Sequence, residues 1–313
     1  MPAKASFSDR LIDAIRAKGN PCIVGLDPRI ETMPPWVVPS TRGLPRDEAL
    51  GLVLTRFGKV VLEAVAEHVA AVKLQSACYE LLGVPGLRAL IRTVRYARAA
   101  GLLVIVDAKR GDIAATAAAY AEALLGELEW RGESQPTIGA DATTVSPYLG
   151  GDSLDPWVQA CDRHGKGIFV LARTSNPGSA DVQGLGLAGG GTVDEQVAAM
   201  IDRLGQGLVG AHGYSSVGAV VGATFPADAA RLRRLMPRAI FLLPGYGAQG
   251  GGAEGLASCF DREGLGAVVS ASRSVTSPPG VEAARSMDAY RDLVRASVLA
   301  MIADVNAALG RRA

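Results

Sequence analysis

Short aliphatic runs alternate along this chain with longer amphipathic segments, and the alternation predicts a fold. Eight runs read as strands: 22–26, 69–74, 102–106, 142–145, 167–171, 217–222, 240–243 and 267–269. Each is apolar at nearly every position, as expected of strands covered on both faces in a parallel sheet under helices. Helical periodicity predicts segments at 47–68, 87–100 and 113–130, then one capped by Ser153 and running to 164. Further helices are expected from the capping box Thr192–Glu195 to about 209, and at 227–236, 253–260 and 286–309. A first helix at 8–18, capped by Ser6 or Ser8 and ended by Gly19, carries Phe7, Leu11, Ala14 and Ile15 on one face. It precedes the first strand, so it would close the bottom of a barrel. Eight strand–helix units favour a (β/α)8 TIM barrel over a doubly wound sheet. No shift in composition marks a boundary, and residues 1–313 are expected to form a single barrel domain. The long proline- and arginine-rich interruption at 28–45 is of a length that is usually functional or mobile.

In such a barrel, functional groups gather where strands end at the C-terminal face. The exits supply Asp27, then Lys73 and Gln75, then Asp107, Lys109 and Asp112. Later exits give Ser146, Asp152 and Ser153, the run Arg173 to Asn176, and Ser272 with Arg273. The densest stretch is LLVIVDAKRGDIAAT, Leu102 to Thr116, where five aliphatic residues are followed by four charged ones within six positions. On an extended chain Asp107 and Lys109 would project the same way. A structural ion-pair network and a catalytic site both place charges there. Lys73, inside A-A-V-K-L, is open to two readings: a side chain snorkelling from the strand end, or a desolvated amine.

Two segments match G-x-G-x-x-G. Gly184 to Gly189 lies well past its strand and fails the structural condition for a dinucleotide fingerprint. Gly245 to Gly250 follows the seventh strand, where barrels build a phosphate site from the last two βα loops. Gly247, Gln249 and Gly250 are its candidate residues, with Arg273 beyond the eighth strand as a guanidinium fork suited to phosphate. The polar, glycine-rich segment 173–191 reads as a mobile loop.

Composition narrows the classes. Hydrophobic residues at 49% supply a large core, and a net charge of +1 gives no electrostatic case for nucleic acid or an anionic membrane. The four cysteines and three histidines are scattered, so neither a disulfide framework nor a structural zinc is expected. The first ten residues lack an apolar signal core, and no apolar run reaches the length of a membrane span. A soluble cytoplasmic protein is the expectation.

D-A-K-R-G-D-I-A-A-T resembles the active-site signature of the orotidine 5′-monophosphate decarboxylase family, in particular its longer bacterial subgroup (type 2). Asp107, Lys109, Asp112 and Thr116 fill the D-x-K-x-x-D-I core and the threonine four residues after its second aspartate. The resemblance runs from the first strand to Arg273, and departs from shorter members at 28–45 and in the long segment before the sixth strand. It implies decarboxylation of orotidine 5′-monophosphate to uridine 5′-monophosphate, the last step of de novo pyrimidine nucleotide synthesis, with no cofactor and no metal. It further implies an alternating set of Lys73, Asp107, Lys109 and Asp112. Alternating charges keep lysines protonated, which opposes the neutral amine of a Schiff-base enzyme. By the same resemblance Lys109 protonates C6, Asp107 faces the departing carboxylate, and Lys73 holds Asp107 and the ribose. Asp27 would bind ribose hydroxyls, while Ser153 would meet the pyrimidine edge, cap its helix, or do both. Gln183, from a gripping loop, would join the Gly loop and Arg273 on phosphate. Asp112 and Thr116 would reach a neighbouring subunit's site, which implies a homodimer. Two rivals stand beside this reading: a magnesium-dependent phosphosugar decarboxylase or hexulose-phosphate synthase of the same superfamily, and a nucleotide-binding barrel without catalysis.

Overall fold

The aliphatic runs pair edge to edge into a closed, eight-stranded parallel barrel. The computed structural model describes residues 5–34, 36–37, 41–222, 226–246 and 255–311. In chain order its elements begin α1 (Phe7–Lys18), β1 (Cys22–Leu26), α2 (Arg46–Val65), β2 (Ala71–Gln75), α3 (Ser76–Glu80), α4 (Gly83–Ala99) and β3 (Leu103–Arg110). Next come α5 (Ala114–Leu125), β4 (Glu127–Trp130), β5 (Glu133–Pro136), β6 (Ala142–Val145), α6 (Asp155–His164), β7 (Gly167–Arg173) and α7 (Val193–Gly205). The chain continues with β8 (Ser215–Val221), α8 (Pro226–Leu235), β9 (Ala239–Leu243), β10 (Ala267–Ala271), α9 (Arg273–Thr276) and α10 (Met287–Ala308). The barrel order is β1-β10-β9-β8-β7-β6-β3-β2, and β4 and β5 form a separate two-stranded sheet. Among the described residues no helix is long and apolar enough to cross a membrane.

Strand alternation sorts the apolar residues into two cores. Val24, Val72, Val104 and Val217 face outward and pack under the helices with Leu54, Trp157, Leu232 and Val294. Ile23, Ala71, Ile105, Phe169 and Val268 face inward. The expected bottom closure is present: Ser6 accepts from the backbone N–H of Asp9 and starts α1, which delivers Phe7, Leu11, Ile12 and Ile15 to that inner core. The Phe7 ring meets Phe169 edge to face at 5.9 Å. Gly167 makes room for it, since a Cβ there would fall 2.1 Å from the ring.

The structure corrects some local expectations. The helix expected at 113–130 ends at Leu125, and Glu127–Trp130 instead pairs antiparallel with Glu133–Pro136. Arg131 and Gly132, at φ 55° and 80°, make the two-residue left-handed turn that a hairpin favours. β3 reaches Arg110, past the expected end at 106, carrying the charged residues within the sheet. Between 253 and 260 the described part is a 3-10 turn, Leu256–Cys259. Arg173 does not join the mouth. A register shift between Leu171 and Arg173 turns it outward, where it is buried and bonds Asp228 at 3.0 Å beside Asp194.

Removing the Phe7 plug leaves a cavity at the barrel's base, so Phe7→Ala is expected to lower unfolding stability by about 3–5 kcal/mol. Urea titration followed by circular dichroism measures this; an unchanged midpoint would mean that α1 is not part of the inner core.

Candidate active site

Along the inward-facing positions, polarity rises from the base of the barrel to its top. Ile23 gives way to Gly25 and then Asp27, Ala71 to Lys73 and Gln75, Ile105 to Asp107, and Val268 to Ser270 and Ser272. Gly25 is required by this crowding, since a Cβ there would meet the Ser272 hydroxyl at 1.9 Å.

Asp107 is the centre of the polar layer and only 6% exposed. Its Oδ2 accepts from Lys73 Nζ at 3.0 Å and from Gln75 Nε2 at 3.2 Å. Its Oδ1 accepts from Lys109 Nζ at 2.7 Å and from Thr144 Oγ1 at 2.7 Å. Lys73 also stands 3.9 Å from Asp27. The β2–β3 register sets Gln75 beside Asp107, and Lys73, two residues earlier, shares that face. Burial pushes the Asp107 carboxyl up, but the charges of Lys73 and Lys109, with hydrogen bonds from Lys109 and Thr144, outweigh it and hold the group far below the usual carboxylate range. Burial likewise pulls Lys73 down, and Asp107 followed by Asp27 overcomes it, so its pKa is raised. Lys73 is therefore a buried ammonium, not the neutral amine of a Schiff-base enzyme.

Lys109 reaches Asp107 by a different route from simple alternation. Val106 pairs with Thr143 but Arg110 with Val145, so residues 107–109 bulge opposite Thr144. Lys109 sits at φ 46°, in the left-handed region, and its N–H donates to Thr144 Oγ1 at 2.9 Å. Arg110, next in sequence, pairs with Glu80 and lies over the Tyr120 ring, outside the cavity.

One cavity at the mouth gathers Asp27, Lys73, Asp107, Lys109 and Arg273. Thr174 and Ser175 after β7 and Gly245 after β9 complete its rim, with Val220 and Leu242 as apolar lining. Asp112, Thr116, Ser153 and Gln183 do not line it. Asp112 Oδ1 accepts from the N–H of Ile113 at 2.8 Å, and Thr116 is exposed on α5. Ser153 lies in a 3-10 turn, its hydroxyl donating to the Gly150 carbonyl at 2.6 Å; the cap position of α6 belongs to Leu154. Gln183 is turned onto Thr174, accepting from its N–H at 2.8 Å and donating to its Oγ1 at 2.9 Å. Gly247, Gln249 and Gly250 lie outside the described residues.

Gln75, Thr144 and Ser175 are among the lining residues to which the sequence assigned no individual role, although Gln75 and Ser175 were noted at strand exits. Gln75 carried a signal, being two positions from Lys73 on one strand. Thr144 carried a weaker one, a hydroxyl at the end of a buried strand. Among the described residues, no group of three or more histidine, cysteine or acidic side chains could hold a metal ion.

Together the barrel and its charged mouth define a (β/α)8 enzyme of the type that works at the C-terminal ends of its strands. The chain matches the orotidine 5′-phosphate decarboxylase / HUMPS family over residues 21–287 and belongs to it. It is 42% identical over 299 residues to the orotidine 5′-phosphate decarboxylase of Rhodopirellula baltica, covering 95% of this chain and 97% of that one. It is 43% identical over 307 residues to that of Deinococcus radiodurans, covering 97% and 98%. The structure of Leishmania donovani OMP decarboxylase superposes with a TM-score of 0.72 at 30% identity, covering 98% of this chain and 100% of that one.

The depressed carboxyl of Asp107 makes a pH prediction. The unfolded chain binds this proton near the ordinary value of 3.8, the folded protein only well below it. Its contribution to stability is present above the unfolded value and is lost progressively as pH falls from about 5 through 3.8 toward the folded value. Asp107→Asn should therefore flatten the acid decline in unfolding free energy between about pH 5 and pH 3, measured by urea titration at each pH. Parallel curves for both proteins would contradict the ion-pair geometry.

Proposed function

We propose that this protein converts orotidine 5′-monophosphate to uridine 5′-monophosphate and carbon dioxide, as a cytoplasmic enzyme acting without metal or cofactor. The observation that carries the reading is the Asp107 set: a buried carboxylate held ionised between two lysines, at the mouth of a barrel of this family. Breaking the bond from C6 to the carboxylate releases carbon dioxide and leaves the electron pair on C6, where no conjugated sink takes it up. Lys109 meets that developing charge and then transfers a proton to C6. Its side chain is 45% exposed, so solvent can return the proton. Asp107 faces the departing carboxylate and keeps Lys73 charged. Lys73 and Asp27, at 3.9 Å, form the ribose side.

Arg273, with Gly245 and Ser272 on the same rim, is the phosphate side. Phosphate contacts far from C6 supply binding energy that organises the reacting end. Gln183 acts here through Thr174, bracing the rim it is bonded to. Ser153 is committed to Gly150, so Ser175, which lines the cavity, is the better candidate for the pyrimidine edge. Asp112 and Thr116 lie off their own chain's cavity and beside exposed Ile113 and Tyr120, an arrangement suited to completing a partner's site in a homodimer.

The direct test is loss of orotidine 5′-monophosphate absorbance with purified protein after exhaustive EDTA treatment. Turnover should persist, and Lys109→Ala should reduce kcat by about 10²–10⁴-fold. Activity abolished by chelator and restored by magnesium would move the protein to the phosphosugar branch; no turnover at all would leave a binding barrel.

Shared sites make a second prediction. Asp112→Ala and Lys109→Ala subunits, each inactive alone, should regenerate about a quarter of wild-type activity after random exchange, because each hybrid has one intact site. Verified hybrids without activity would place Asp112 outside the partner's site.

A further inference from the structure

Thr144 spends one hydroxyl on two groups that matter to the chemistry. It is buried at the end of β6, donates to Asp107 Oδ1 at 2.7 Å, and accepts the backbone N–H of Lys109 at 2.9 Å. We propose that Thr144 is a positioning residue, tying the carboxylate of Asp107 to the backbone of Lys109 and so fixing where the lysine ammonium stands. This rests on the decarboxylase reading, in which Lys109 meets C6.

The need for such a tie comes from the backbone. Lysine has a long, flexible stem, and the Lys109 ammonium is directed by Asp107 alone among the described ion pairs. Where that stem starts therefore decides where the charge ends. Its starting point is a bulge at φ 46°, a conformation that side-chain-bearing residues rarely adopt and that persists only when surroundings impose it. The strand register offers Lys109 no Cα partner on β6, and its N–H turns to a side chain instead. An amide needs an acceptor there and the carboxylate beside it needs a donor. A hydroxyl is both; a methyl of the same shape is neither.

The neighbouring residue supplies an internal control. Thr143 is equally buried, and its hydroxyl donates to the Val106 carbonyl at 2.7 Å, on the opposite face of the same strand. Two adjacent threonines thus make bonds of equal length, one toward the reacting groups and one toward the sheet. If hydroxyls at this level of the barrel served only stability, replacing either should have the same consequence.

The experiment compares Thr144→Val, Thr144→Ser and Thr143→Val in the full-length protein, with folding checked by circular dichroism and melting temperature. Misplacing a reacting group by about 1 Å costs on the order of 100-fold, so Thr144→Val should lose about 10- to 100-fold in kcat with KM changed less than about threefold. Thr144→Ser, which keeps the hydroxyl, should recover kcat to within about threefold, and Thr143→Val should leave kcat unchanged. A folded Thr144→Val with wild-type kcat overturns the proposal, as does a Thr144→Ser as impaired as Thr144→Val, or a Thr143→Val that loses kcat equally. Should the wild-type protein not turn over orotidine 5′-monophosphate, the decarboxylase reading fails, and the tie is read without activity. In protein labelled with ¹³C at lysine Cε, the Lys109 resonance, assigned by its loss in Lys109→Ala, should shift in Thr144→Val and return in Thr144→Ser. A resonance unmoved by Thr144→Val overturns the tie itself.

Discussion

Asp107 is a carboxylate kept ionised out of water, and the top of the barrel is arranged around that requirement. Withdrawing an ion from water costs several kcal/mol even after the protein relaxes, and the cost is recovered only when partners surround it in good geometry. Here two ammonium groups, an amide and a hydroxyl fill both carboxylate oxygens. Lys73 has the reciprocal problem, being buried itself, and Asp107 with Asp27 answers it. Neither charge is tenable alone. The interaction is therefore a specification more than a source of stability: substituting either partner leaves the other stranded, which restricts what β2 and β3 can carry at this level.

The rest of the barrel makes that layer possible by being different from it. Below the ionic level, the inward positions are Ile23, Ala71, Ile105, Phe169 and Val268, sealed from beneath by Phe7 and Leu11. Water is thus excluded on one side of the charges and admitted on the other. Lys109 stands at the boundary, paired to a buried carboxylate yet half exposed. A lysine in that position can be held in one direction by its partner and still exchange protons with solvent, a combination that neither a fully buried nor a fully solvated lysine offers.

What could be read from sequence follows from which features are local. The eight strands were legible because each is a short aliphatic run, and their count with the intervening helices identified a barrel before any contact was known. Lys73, Asp107, Lys109 and Arg273 were legible as polar residues at strand exits, and they share a cavity. Ser153 and Gln183 were named by resemblance, Ser153 also as a helix cap, and local sequence could not show their partners. A hydroxyl or amide goes to whichever group tertiary packing brings near, here Gly150 and Thr174. The hairpin at 127–136 was hidden because its Leu128 and Trp130 continue the apolar rhythm of the helix before them, and only the left-handed pair Arg131–Gly132 reverses the chain.

Bulges account for the remaining differences, and they act in opposite directions on two residues that alternation treats alike. Both Lys109 and Arg173 lie two positions beyond an inward-facing residue, Asp107 and Leu171, so simple alternation would aim both into the mouth. Each follows a register shift. At β7 the shift sends Arg173 out to Asp228 and Asp194, leaving Thr174 and Ser175 to line the rim. At β3 the shift leaves Lys109 against Asp107, in a left-handed turn bonded to Thr144. At β7 two steps match one on β8, a one-residue slip that reverses the face of a side chain. At β3 four steps match two on β6, a two-residue slip that keeps Lys109 on the face of Asp107. The cation content of the mouth is set by these two irregularities as much as by composition. Had β7 stayed regular, alternation would have brought a third strand-borne cation into the mouth. The bulges are therefore part of the electrostatic arrangement that leaves a half-exposed lysine beside a buried carboxylate held below the usual carboxylate range.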